Sequence, residues 1–118
     1  MKLRGTKTEE NIRIALINQH KSLFHDKDRQ RMLFVLRKHF PNIKTAYIID
    51  WIPDQGEDII TFLIDTSVIA QIEFDLMDLD SEPTVEICSI DVYSNGFRKL
   101  AQIKLAVALD LAHRDIER

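Results

Sequence analysis

From Thr45 to Gly96 the chain contains no lysine and no arginine. A second cysteine is also missing, since Cys88 stands alone, which excludes an internal disulfide and suits a reducing compartment. Glycine and proline number three each, too few for long irregular loops. No apolar run approaches the roughly 18 residues of a membrane span. The opening MKLRGTKTEE has no apolar h-region, so it does not read as a secretory signal. Glycine-rich phosphate loops are absent, because Gly5, Gly56 and Gly96 are isolated. These absences leave one soluble domain spanning residues 1–118, expected in the cytoplasm.

What fills the lysine-free stretch is acid. It holds Asp50, Asp54, Glu57, Asp58, Asp65, Glu73, Asp75, Asp78, Asp80, Glu82, Glu86 and Asp91, twelve carboxylates without a basic residue among them. The first 44 residues lean the other way, with eleven Lys/Arg against four acids, and the last 22 have five against three. A net charge of −3 therefore hides a polarised molecule. Such asymmetry bears on solubility, steering and partner choice rather than on fold.

The apolar period predicts the elements. Thr6-Lys7-Thr8-Glu9 fits a capping box ahead of a helix that carries Ile12, Ala15, Leu16 and Leu23 through about Phe24. Asp26 or Asp28 is placed to cap a second helix with Met32, Leu33, Leu36 and Phe40 on one stripe, ended by Pro41. Beyond Lys44 the period falls to two. Strands are predicted at Thr45–Ile52, Ile59–Asp65, Val68–Leu76 and Thr84–Tyr93, with a hairpin loop at Pro53–Asp58 and a loop at Met77–Pro83. In the third strand Val68, Ala70, Ile72, Phe74 and Leu76 are expected on a buried face, alternating with Ile69, Gln71, Glu73 and Asp75 on a wet, acidic one. The last strand switches parity between Ile87 and Ile90, which suggests a bulge near Cys88-Ser89. A final helix from Phe97 to about Ile116 is apolar over most of its circumference, so it is expected between the sheet and the helix pair. The expectation is an α+β domain of order ααββββα: two N-terminal helices, a four-stranded antiparallel meander, and a long C-terminal helix, with the helices on one sheet face.

Catalytic chemistry finds no foothold in the sequence. Cys88 sits in a predicted strand, and His20, His25, His39 and His113 lie on or beside helices far from it, as expected of surface residues. Asp75 to Glu82 offers hard oxygen ligands, but fails the EF-hand pattern, with no glycine at the sixth position from either Asp75 or Asp78, and is interrupted by Leu76, Met77 and Leu79. No catalytic residue, metal or cofactor is assigned, and the chain reads as a non-enzyme. Twelve uncompensated charges forbid the sheet from tracking a phosphate backbone. The basic residues of the helix pair read as a solvated face, so no direct nucleic-acid contact is expected.

The run from Ser89 to Ala112, SIDVYSNGFRKLAQIKLAVALDLA, resembles the close of small CdiI-type immunity proteins of bacterial contact-dependent growth inhibition. The likeness rests on a strand ending in Asp91-x-Tyr93, the Ser94-Asn95-Gly96 break, and an Ala/Leu-rich helix with Lys99 and Lys104. It implies a cytoplasmic antidote that binds the nuclease domain of a delivered toxin, often one that cleaves transfer RNA. No interface residue follows from it.

Charge supplies the interface. A merely soluble face mixes both signs, so an all-acid face is expected to receive a basic protein, its carboxylates standing in for phosphates in the RNA-binding cleft. The contact residues expected on that ground are Asp54, Glu57 and Asp58 from the hairpin, Glu73 and Asp75 from the third strand, Asp78, Asp80 and Glu82 from the following loop, and Glu86 from the fourth strand. The alternative is a small acidic secretion or assembly chaperone that holds an effector segment along a strand edge.

Overall fold

The computed structural model describes residues 3–26, 29–54, 56–75, 77–78, 80–96 and 99–117. The capping box forms as the sequence requires. Thr6 Oγ1 accepts from the Glu9 N–H at 3.2 Å, and the Glu9 carboxylate accepts from the Thr6 N–H at 2.8 Å, starting α1 (Lys7–His25). Glu9 also accepts from the Arg4 N–H at 2.7 Å and is buried. The hydrogen bond from the Thr6 backbone, foremost among several, holds its carboxyl below the usual range.

Asp26 does not start the second helix. Its N–H donates to the Ser22 carbonyl and its carboxylate accepts from Ser22 Oγ, so it closes α1. The other residue placed to cap that helix, Asp28, lies outside the described residues. Arg29 precedes α2 (Gln30–His39) and makes no side-chain cap. The strands are β1 (Ala46–Asp54), β2 (Glu57–Ile64), β3 (Val68–Asp75) and β4 (Thr84–Ser89), antiparallel in the order β1-β2-β3-β4. Two helices close the chain, a short α3 (Ile90–Ser94) where strand was expected and the long α4 (Lys99–Glu117), whose expected start at Phe97 lies outside the described residues. The α+β class and the ααββββα order therefore stand, with α3 as an addition.

Three local expectations are corrected. The parity change after Ile87 is the end of β4 rather than a bulge: Ser89 Oγ accepts from the Val92 N–H at 3.2 Å and caps α3. Asp91 and Tyr93 thus stand on a helix where the immunity-type likeness implied a strand. The bulge lies instead in β1, where Ile48 pairs with Phe62 but Asp50 pairs with Thr61, leaving Ile49 as the extra residue. The hairpin is tighter than expected, since Pro53 and Asp54 pair with Asp58 and Glu57 as strand residues. Pro53 is tolerated there because β1 is an edge strand.

The helices do not share one face. Val35 and Leu36 of α2, with Leu23 of α1, bury Ala46, Ile48, Ile60, Phe62, Ile64, Ala70, Ile72 and Phe74. Residues of the opposite parity, Tyr47, Leu63 and Ile69, pack with Ile49 against Leu105, Val107, Ala108, Leu111 and Ala112 of α4, joined by Leu16 of α1. Ile69, expected on the wet face, is therefore buried, because α4 covers that end of the strand. The sheet is therefore sandwiched, α2 on one side and α4 on the other. Helix α1 runs beside β1 and contributes to both cores. The wide apolar circumference of α4 is accounted for by the sheet on one side and α1 on another. Unbroken apolar runs such as Tyr47-Ile48-Ile49 and Phe62-Leu63-Ile64 are the sequence mark of strands covered on both faces.

A polar clamp fixes the C-terminal end of α4 to β1. Asp115 accepts from Thr45 Oγ1 at 2.8 Å and from the Tyr47 hydroxyl. His20 stacks on Tyr47 with ring centroids 4.5 Å apart, its Nδ1 lying 2.9 Å from the Ala46 carbonyl oxygen. The surface assignment of His20 is thus wrong: it is half-buried because its ring fills the corner between α1, β1 and α4. His25, His39 and His113 are exposed, as expected.

Candidate functional site: the open half of a sheet face

Directly opposed residues of antiparallel strands share a face, so the register lays out the α4 side of the sheet in rows. The first row is Tyr47, Leu63, Ile69 and Cys88. It is dry, and Cys88 packs there as a half-buried side chain. Asp50, Thr61, Gln71 and Glu86 follow, then Ile52, Ile59, Glu73 and Thr84, then Glu57 and Asp75. Across these last three rows Thr61 alone is buried; Asp50, Glu57, Glu73 and Glu86 are exposed and Asp75 is half-buried. Half of this face is thus covered by helix, and half presents five carboxylates with no Lys or Arg on the rows.

The boundary between the halves is built by α3. Tyr93 reaches Thr61, whose side chain hydrogen-bonds it, and lies near Asp50. Burial, followed by the Asp50 charge, pushes its phenol above the usual value. Ile49, Asp50, Tyr93, Leu100, Ala101, Lys104 and Leu105 line a cavity of about 390 Å³ at this seam. Lys104 thus borders the acidic rows.

The nine expected contact residues do not form one surface. Glu57, Glu73, Asp75 and Glu86 come together on the open half-face. Asp58 pairs with Pro53 and Phe74 on the α2 side, because strand parity turns it over. Asp54 pairs with Glu57 in backbone register, and its side chain lies outside the described residues. Asp78 is spent on its own loop, accepting from the Asp80 N–H at 3.2 Å, while Asp75 accepts from the Met77 N–H at 2.9 Å. Asp80 and Glu82 lie beside α2 with Arg31, Lys38 and His39. There Glu82 accepts from Lys38 Nζ at 2.9 Å, and that bond holds its carboxyl below the usual range.

Asp50 was absent from the expected set. Unbroken alternation from Ile48 would put it on the α2 side; the Ile49 bulge moves it into the acidic row. A bulge inside an apolar run leaves no composition signal. The basic helix is less free than its sequence suggests: the Arg29 guanidinium lies 4.4 Å from the Trp51 ring centroid, and that of Arg31 5.6 Å from Phe74.

Among the described residues no three His, Cys, Asp or Glu side chains group to hold a metal ion, and no helix is long and apolar enough to cross a membrane. No protein-family model, no curated protein and no solved structure matches this chain.

Proposed function

We propose that this protein is a non-enzymatic binding module whose ligand is a basic protein domain, received on the open half-face. More particularly, it acts as a cytoplasmic immunity protein of the CdiI type, blocking the nucleic-acid cleft of a nuclease toxin, one that cleaves transfer RNA. A single observation carries this reading: Asp50, Glu57, Glu73, Asp75 and Glu86 converge on uncovered sheet without a basic residue on their rows. A nuclease cleft is lined with cations that bind phosphates, and a rigid array of carboxylates competes for them. Opposite charge also speeds encounter, which matters for an antidote that must act before the toxin does. The Ala/Leu-rich closing helix that resembles CdiI proteins supports the same assignment.

The test is protection. The neighbouring reading frame is expressed from an inducible promoter, with and without this chain, and growth and transfer-RNA integrity are followed. Arrest relieved by the wild type but not by a Glu57→Lys, Glu73→Lys, Glu86→Lys variant is the expected result. Relief that is equal for both proteins would show that the half-face is not the contact.

A further inference from the structure

The two edges of the sheet are finished differently. The β1 edge carries the Ile49 bulge and Pro53 and packs against α1 and α4, all devices that blunt an edge. On the other edge β4 keeps regular register with β3 from Thr84 to Ser89 and pairs with β3 alone. Its one charged side chain is Glu86. Among the described residues no backbone hydrogen bond leaves its outer side. Ile87 opposes Ala70 on the α2 face, yet is 59% exposed. Phe34, 69% exposed, lies beside Ser81, Glu82 and Pro83, which lead into β4.

We infer that this edge seats a second copy of the chain, with the two β4 strands antiparallel about a two-fold axis at Ile87, joining two sheets into one of eight strands. A two-fold axis normal to the sheet keeps like faces on one side, so some residue must meet its own equivalent. Centred on Glu86, the pairing opposes two carboxylates, which is unfavourable. Centred on Val85 or on Cys88, it engages only three residues of each strand. Centred on Ile87, it pairs Val85 with Ser89, Glu86 with Cys88 and Ile87 with itself across the seam. Five residues of each strand then engage, apolar groups meet on the α2 face, and no like charges oppose. Both open acidic half-faces stay on one side of the joined sheet, so dimer and ligand do not compete.

Mass measurement by light scattering, from low micromolar to near-millimolar protein, tests the inference. Wild type is expected to move from the 13.8 kDa of one chain towards twice that value. Ile87→Lys should remain at one chain while keeping the wild-type circular dichroism and the melting temperature of dilute wild type. Register is tested separately: oxidised Glu86→Cys should give a covalent dimer through Cys88 of the second copy, whereas Glu73→Cys should not. A wild type that is monomeric throughout overturns the inference and leaves the edge to a strand from a different protein. A dimer that survives Ile87→Lys, or cross-linking no better in Glu86→Cys than in Glu73→Cys, overturns it equally. Neither measurement involves the basic ligand, so failure here leaves the proposed function standing.

Discussion

The α4 side of the sheet is two surfaces made by the same four strands. Towards Leu63 and Ile69 it is dry and roofed by α4; towards Glu57 and Glu73 it is open and acidic. On the α2 side the two central strands show no such division, for Ile60, Phe62, Ala70, Ile72 and Phe74 are all buried along their length. The comparison teaches that stability comes from the rows covered on both faces, while the half left uncovered on one face stays accessible. The open half needs no stabilising role of its own, which is why its side chains are free to share one sign.

The largest effect should come from carrying the open half's chemistry into the covered half. Ile69→Asp and Ile72→Asp each put a carboxylate at a position 1% or less exposed, on opposite faces. Each should cost several kcal/mol, a large part of the marginal stability of such a domain. Urea titration checks this, with Glu73→Ala as the open-half control, expected within about 0.5 kcal/mol of wild type. If Ile69→Asp were as harmless as Glu73→Ala, the division of the face would be wrong.

The next effect belongs to the open half. Glu57→Lys, Glu73→Lys and Glu86→Lys together should slow association with the proposed basic domain by on the order of 10- to 100-fold at low salt, with the gap closing at high salt. The matched control reverses exposed helix charges, Lys7→Glu, Lys21→Glu and Arg37→Glu, and should change the rate much less. Arg29 and Arg31 are left out of it because they stack on Trp51 and Phe74. A control that lost more binding than the sheet variant would move the site to the helices.

Smaller still is the clamp that holds the roof. Tyr47→Phe removes the hydroxyl that donates to Asp115 and should cost about 1 kcal/mol in urea titrations, since the carboxylate left behind is half-buried and keeps the Thr45 hydroxyl as a donor. Binding of the basic domain should not change, because the clamp lies on the covered half. The smallest effect concerns Glu9. Its carboxyl is held below the ordinary value of 4.5, so its contribution is full above that pH and is lost as pH falls through the lowered value. The stability lead of wild type over Glu9→Gln should accordingly be level near neutrality and shrink below pH 4.5, as thermal melts across pH would show.

Much of this comparison is legible in the linear chain. The capping box, the strand parity of Val68 to Asp75 and the order of the elements follow from local chemistry, since backbone donors need partners and a strand alternates its sides. Glu73, Asp75 and Glu86 are recognisable as site candidates by charge and strand position, and Glu57 by charge alone, since the sequence places it in a hairpin loop. What charge could not do was separate them from Asp58, Asp80 and Glu82, which parity and Lys38 draw to the α2 side. The immunity-type likeness rests on a segment whose secondary structure differs from the one it implied, a helix at Asp91 to Tyr93.

By itself, then, the amino-acid order determined the succession of α1, α2, four strands and α4 and where acid accumulates, because both depend on neighbours within a few positions; it did not separate the short α3 from the strand before it. Tertiary structure decided which face each helix takes, that Asp50 joins the acidic rows through a bulge at Ile49, and that His20 is packed rather than free. Those outcomes depend on contacts between residues far apart in the chain, such as Tyr47 with Asp115 and Lys38 with Glu82. Local propensity carries no information about such contacts until the sheet has formed and its two sides have been divided between the helices.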